Sequence, residues 1–359
     1  NKEVMYVLLS KSGQNQFDKI LRINEDGTTG PVWPLPVTTN GYEIYAGLQS
    51  MFGAYKGSLW YSRKESDAQY LNTELWRTNF LEHQFAADLN PDFGWGPNQT
   101  KLFYGSNPRN FFMYNDQMYF FADVSKSTAL FKFNSDFTFQ NTAGNNQWND
   151  ANNWKSGIVP YSSDDAIIPD GQQPKVVQNA SVKNLTINSP LSLSAGNLSV
   201  AGKITVNAKI TLNSNNLNLI GTSSQVSEGS PSAYILTNGT GTVNVENLNA
   251  ERGTVNLPIG TATNYNPVSI ANTGTSDTFS ARVSEGIANT TNGAVNATWD
   301  ISEATAGGSN VNLTLGWNAS QQNAAFDSGT AKVGHYLNGN WTAENSGAVS
   351  NNSITATGI

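Results

Sequence analysis

Between Val182 and Leu219 the chain alternates apolar and polar residues in short runs. The apolar set is Val182, Leu185, Ile187, Leu191, Leu193, Leu198, Val200, Ile204, Val206, Ile210, Leu212, Leu217 and Leu219. Within each run the period is two, which is the strand signal. The runs recur every 6–7 residues, with Asn, Ser, Ala or Gly between them. This spacing suits the flat sides of a parallel β-solenoid, whose coils stack apolar residues inward and place Asn at the corners. A meandering sandwich is the alternative. Either fold requires Leu185, Ile187, Leu198, Val200, Ile204, Val206, Leu217 and Leu219 to face inward, because a one-residue slip would turn the whole set to solvent.

The rest of the chain is also β-like. Of its 359 residues, 38% are hydrophobic and only 13% charged, against about a quarter charged in soluble domains. Asn, Ser, Thr and Gly fill the difference, a mix that disfavours helices and favours short strands with polar turns. The length predicts two to four domains. The net charge of −7 comes with no Lys or Arg cluster, which excludes the electrostatic footprint of a nucleic-acid binder. No apolar run reaches the roughly 20 residues of a membrane-spanning helix, and the first residues are not a signal peptide. The chain has no cysteine, which fits a bacterial envelope protein better than a disulfide-bonded secreted one.

Residues 1–139 contain a repeat. Ile20-Leu21-Arg22-Ile23, Leu75-Trp76-Arg77-Thr78 and Leu130-Phe131-Lys132-Phe133 are 55 residues apart, with a cation third in each. An aromatic-containing strand precedes each of them: Val4–Leu9 around Tyr6, Leu59-Trp60-Tyr61, and Met118-Tyr119-Phe120-Phe121. Tight turns at Tyr55-Lys56-Gly57 and Tyr114-Asn115-Asp116 sit in matching places. Stacked hairpins of this length are typical of propeller blades. Glu74-Leu75-Trp76-Arg77-Thr78, with Ala87-Asp88-Leu89-Asn90-Pro91 and Tyr119-Phe120-Phe121-Ala122, resembles the ELWxT repeats of large bacterial surface proteins. It departs from them at Thr78-Asn79-Phe80, where the family has an Asp-Gly-Thr turn. Trp76 and Phe131 are expected at equivalent, mostly buried blade positions; a sugar-stacking platform is the alternative for the motif's tryptophan.

A second motif opens residues 140–235. Trp148-Asn149-Asp150-Ala151-Asn152-Asn153-Trp154 is followed by Gly157-Ile158-Val159-Pro160 and Asp164-Asp165-Ala166-Ile167-Ile168-Pro169. This resembles the W…NW…VP…DD opening of Bacteroidota surface and secreted proteins, which leads into a β-rich solenoid. Residues 236–359 carry short strands 10–15 residues apart with Gly/Asn turns, the pattern of an immunoglobulin-like sandwich. Thr298-Trp299-Asp300-Ile301, Leu313-Thr314-Leu315-Gly316-Trp317 and His335-Tyr336…Trp341 resemble the sandwich that precedes the sorting domain of type IX secretion cargo proteins. The expected fold is therefore all-β: about three propeller-like blades (1–139), a solenoid-like domain (140–235), and an Ig-like sandwich (236–359).

No catalytic motif stands out. His83 and His335 are far apart in sequence and belong to no helical metal motif, and no Walker loop or nucleophile elbow occurs. Asp164, Asp165 and Asp170 are the candidate metal ligands, since calcium favours clustered oxygens; turn capping is the alternative. Trp60 and Trp341 are the candidate carbohydrate-stacking residues. Neither a cofactor nor enzymatic activity is expected. The resemblances imply an exported surface module, structural or adhesive and linked to gliding or surface attachment. Its export partners would be the type IX outer-membrane translocon and the cargo shuttle protein, and a surface glycan is a further candidate partner. A carbohydrate-binding module, or part of a polysaccharide-degrading enzyme, is the alternative. Three blades do not close a propeller of about four to eight, so further blades upstream and a sorting domain downstream are expected.

Overall fold

The computed structural model describes residues 5–10, 16–24, 26–34, 44–45, 52–55, 58–64, 72–78, 83–88, 109–115, 117–124, 127–287, 293–337 and 339–359. The protein is all-β, and its only described helices are two single 3₁₀ turns. It divides into two compact units, Asn1–Ser135 with Ser156–Ile158, and Asp136–Lys155 with Val159–Ile359.

The described strands of the first unit form three antiparallel sheets. They comprise Met5–Ser10, Gln16–Ile23 and Thr29–Pro34 with Ile44–Tyr45; Phe52–Tyr55, Ser58–Lys64, Asn72–Thr78 and His83–Asp88; and Arg109–Tyr114, Gln117–Val124 and Ser127–Lys132. Each copy of the 55-residue motif lies on or at the end of a strand antiparallel to the aromatic strand before it. The side chains do not repeat as expected. Ile20 and Leu75 are buried, but Leu130 is 54% exposed and Phe131 is 38% exposed. Trp76 is half-buried, while Arg77 beside it is fully buried. Asn72–Thr78 pairs on both sides, whereas Ser127–Lys132 has one described neighbour, Gln117–Val124, against whose Phe120 the Phe131 ring stacks while its outer side stays exposed. Of the expected turns, Lys56, Gly57 and Asp116 lie outside the described residues.

The second unit begins as a parallel solenoid of three faces. The first stacks Phe137–Thr138, Asp165–Ile168, Asn184–Ile187, Lys203–Val206 and Gln225–Glu228. The second stacks Lys175–Val176, Leu191–Leu193, Ile210–Thr211, Ile235–Leu236 and Ile259–Gly260. The third stacks Ala180–Val182, Leu198–Val200, Leu217–Leu219 and Val243–Leu248. Leu185 pairs with Ile204, Leu191 with Ile210, and Leu198 with Leu217, so one coil is 19 residues. Three strands per coil account for the 6–7-residue spacing of the apolar runs. All eight residues expected inside are buried to within 1%.

Asparagines link the coils at their corners. The Asn197 amide donates to Asn179 Oδ1 (2.9 Å), Asn216 N to Asn197 Oδ1 (2.8 Å), and Thr242 N to Asn216 Oδ1 (3.0 Å). These bonds satisfy backbone groups that the bend removes from the sheet ladders. Replacing Asn216 by alanine removes the acceptor for both Thr242 N and Thr242 Oγ1. A loss of about 1–2 kcal/mol is expected in denaturant unfolding, and an unchanged midpoint would contradict it. At another corner a Cβ on Gly221 would overlap the carbonyl oxygen of Ala201, so only glycine lets successive coils approach there.

The two-tryptophan segment closes the start of the solenoid. Trp148 and Trp154 are buried with rings 4.7 Å apart at 76°, and Trp154 meets Phe139 edge-on at 5.2 Å. The Trp154 indole donates to the Trp148 carbonyl (2.7 Å). Between them, buried Asn153 donates to Asn145 Oδ1 and the Gln147 carbonyl and accepts from Ala143 N.

The division expected at residue 235 falls inside the second face. Ile235 pairs with Ile210 on one side and Ile259 on the other, both in parallel. The coil here widens from 19 residues to 25. Val243–Leu248 is the strand where the topology changes. It pairs in parallel with Leu217–Leu219 and antiparallel with Asp277–Glu285, which in turn pairs with Ala297–Glu303. A second antiparallel sheet runs Val255–Leu257, Val268–Asn272, Val311–Gly316 and Ser353–Thr357. Val245, Phe279 and Ala281 of the first sheet and Ile270, Leu313 and Ile354 of the second are all buried. Buried Thr237 ties solenoid to sheet, its hydroxyl accepting from Val283 N (3.0 Å) and donating to Val283 O (2.9 Å).

Candidate functional site

The three candidate metal ligands do not converge. Asp164 is buried, and its Oδ2 accepts from Tyr161 N (2.9 Å) while Asp164 N donates to Tyr161 O, which closes a local turn. Asp165, the next residue along the strand, faces solvent and accepts from Asn184 Nδ2 (2.7 Å) as part of a corner ladder. Asp164 sits in the bend before the strand and is turned inward, whereas Asp165 opens the strand on its exposed face, so the two carboxylates serve different partners. Asp170 is exposed in the turn after the strand. Among the described residues, no group of three His, Asp or Glu could hold a metal.

Trp60 is likewise no stacking platform. Its strand is buried through Leu59, Trp60 and Tyr61 in succession, and Trp60 is 1% exposed. Phe133 lies 4.4 Å from its ring and the Arg77 guanidinium 5.2 Å, and its indole N–H donates to the Tyr55 carbonyl. No face is left for a sugar. The buried cation of the repeat motif thus has a structural use beneath an aromatic ring.

Trp341 stands in a different setting. It lies on a two-stranded hairpin, Gly334–Leu337 with Asn340–Ala343, that pairs with no other described strand. Trp341 is directly opposite Tyr336, with ring centroids 4.9 Å apart at 48°. Its indole packs on Gly334, where a Cβ would come within 2.9 Å of Cε3. Glycine at 334 therefore seats the ring. Tyr336 is 40% exposed and Trp341 half-buried. At the base of the hairpin His335 Nδ1 and Glu344 Oε1 are 3.0 Å apart, and the Lys332 ammonium donates to the Ser346 carbonyl.

These side chains form one wall of a cleft of about 980 Å³. The opposite walls come from Ala297–Glu303, which supplies Trp299 and Ile301 on the edge of its sheet, and from the strand end carrying Trp317. Trp299 is fixed by donation of its indole N–H to the Asn266 carbonyl (3.4 Å). Trp317 is 7% exposed and meets Phe326 edge-on at 5.9 Å. On the rim, Asp300 is paired with Arg282 (2.6 Å), and Glu303 accepts from Gly307 N. The site is thus an aromatic-walled groove whose edges carry ionisable groups of both signs. The sequence placed Trp341 among the candidates but not Trp299, Trp317 or Tyr336 as its neighbours. These residues come from separate segments, and only the fold brings them together.

No family model, curated protein or solved structure matches this chain. Among the described residues, no helix is long and apolar enough to cross a membrane.

Proposed function

We propose that the chain is a non-catalytic module of an exported cell-surface protein, structural and adhesive in role, carried outward by the type IX translocon and its cargo shuttle protein. The observation that supports this most is the capped parallel solenoid. Each 19-residue coil stacks on its neighbours over an aliphatic interior, and Asn, Ser and Thr prevail among the outward positions, with only scattered charges such as Asp165, Lys175 and Lys203. Such a stack gives a stiff, weakly charged spacer suited to holding a binding surface away from a cell. In this reading the three antiparallel sheets are propeller blades, and the two facing C-terminal sheets are the Ig-like sandwich that precedes a sorting domain. The resemblances at Trp148–Trp154 and Glu74–Thr78 point the same way.

A second reading, a carbohydrate-binding module, is favoured by the aromatic cleft around Trp341. Export is tested by protease shaving of intact producing cells with and without the translocon. Protein accessible at the surface of the parent and retained inside the deletion strain is the expected result. Surface display that persists without the translocon would overturn the export route.

A further inference from the structure

We propose that the cleft walled by Trp341, Tyr336, Trp299 and Trp317 binds a neutral oligosaccharide; this rests on the adhesive reading above and names its ligand class and site. Three features of the groove carry the inference. First, Trp341 and Tyr336 form a cross-strand aromatic pair on an exposed hairpin. Tyr336 keeps 40% of its surface in water. The exposed face of an aromatic ring buries the C–H face of a sugar ring and leaves the hydroxyls free to bond elsewhere. Second, the rim supplies those hydroxyl partners. Glu344 and Asp300 are acceptors, and His335 and Lys332 offer nitrogen groups. Glu344 is hydrogen-bonded to His335 and Asp300 is paired with Arg282, so the rim carries no unbalanced field of one sign, which suits a polyol and disfavours a strongly charged chain. Third, the cleft measures about 980 Å³, at the top of the range of about 300–1,000 Å³ for small-ligand sites. It has room for several linked rings rather than one.

Trp317 adds an independent sign of unmet demand. It is 7% exposed, and its indole N–H has no acceptor among the described residues. Buried polar groups in native proteins are almost always paired.

The test is an array of neutral and acidic oligosaccharides probed with the full chain, followed by titration calorimetry on the best neutral binder. Binding to a neutral oligosaccharide is expected, weakened about tenfold or more by Trp341→Ala. Tyr336→Ala, at a more exposed site, is the second variant and is expected to weaken binding in the same direction with an unchanged melting curve. Trp33→Ala, in the other unit, should leave affinity unchanged. No binding anywhere on the array overturns the proposal. So does a preference for acidic glycans, or binding that both cleft variants leave intact. Export is read separately: a chain that reaches the surface but binds no glycan defeats this inference alone, and one that binds glycan but is not exported defeats the export reading alone.

Discussion

Replacing Trp154 by alanine is expected to lower the unfolding free energy by about 3–5 kcal/mol, the range for a large aromatic removed from a packed core. Trp154 is 3% exposed and touches Trp148 and Phe139 edge-on. It covers the open end of a stack in which Ile168 and Val176 are wholly buried. A solenoid has no other way to hide its first coil, because each repeat is shielded only by its neighbours. The alanine variant therefore loses the ring's own contacts and also lets water reach the coil beneath. Trp154→Phe keeps an aromatic ring but loses the bond to the Trp148 carbonyl, and should cost about 1 kcal/mol beyond the packing change. Denaturant unfolding followed by circular dichroism measures both. A loss below about 1 kcal/mol for the alanine variant would show that the segment is not a cap.

A larger effect is expected from Ile204→Asp. Ile204 is fully buried in the middle of the first face, paired with Leu185 before it and Val226 after it. A carboxylate there has no partner and no water, and losses above about 4–5 kcal/mol are characteristic of an unpaired buried charge. The variant should be insoluble or unfolded at room temperature. Thr205→Asp, one residue on, points outward between Thr186 and Ser227. Away from buried features such a change usually stays within about 0.5 kcal/mol. The contrast between neighbours is the prediction: equal damage at both positions would mean that the inward set has been assigned to the wrong face.

The solenoid was legible in the sequence because its physics is local. Period-two apolar runs specify strands, and their 6–7-residue recurrence leaves room only for short sides joined by tight corners. What the runs did not state was that three of them make a coil. That follows from the pairing of Leu185 with Ile204 and of Leu198 with Leu217. The end of the solenoid was illegible for a related reason. Beyond Leu219 the coil takes in extra polar residues, so Ile235–Leu236 no longer follows the spacing although it continues the same face. In the first unit the motif spacing located the strands but not their exposure. Leu75 and Leu130 occupy the same place in the repeat, yet burial depends on what packs around the strand, which no single repeat encodes. Trp60 was misread because Leu59, Trp60 and Tyr61 are all buried, so the usual alternation that marks an outer face is missing. The cleft was beyond reach because Trp299, Trp317, Tyr336 and Trp341 meet only after two sheets and a hairpin have formed.

The most direct test of the 19-residue parallel register uses the absence of native cysteine. Thr186 and Thr205 are paired, outward-facing neighbours on adjacent coils. Adjacent strands lie about 4.8 Å apart, within the roughly 4.4–6.8 Å between Cα atoms that a disulfide spans. Thr186 and Ser227 are two coils apart, at about twice the strand spacing and out of reach. Mild oxidation of purified Thr186→Cys/Thr205→Cys should give an intramolecular disulfide, detected by mass spectrometry of the digested monomer, and Thr186→Cys/Ser227→Cys should give none. Cross-linking of the second pair, or failure of the first in a folded monomer, would contradict the parallel 19-residue coil.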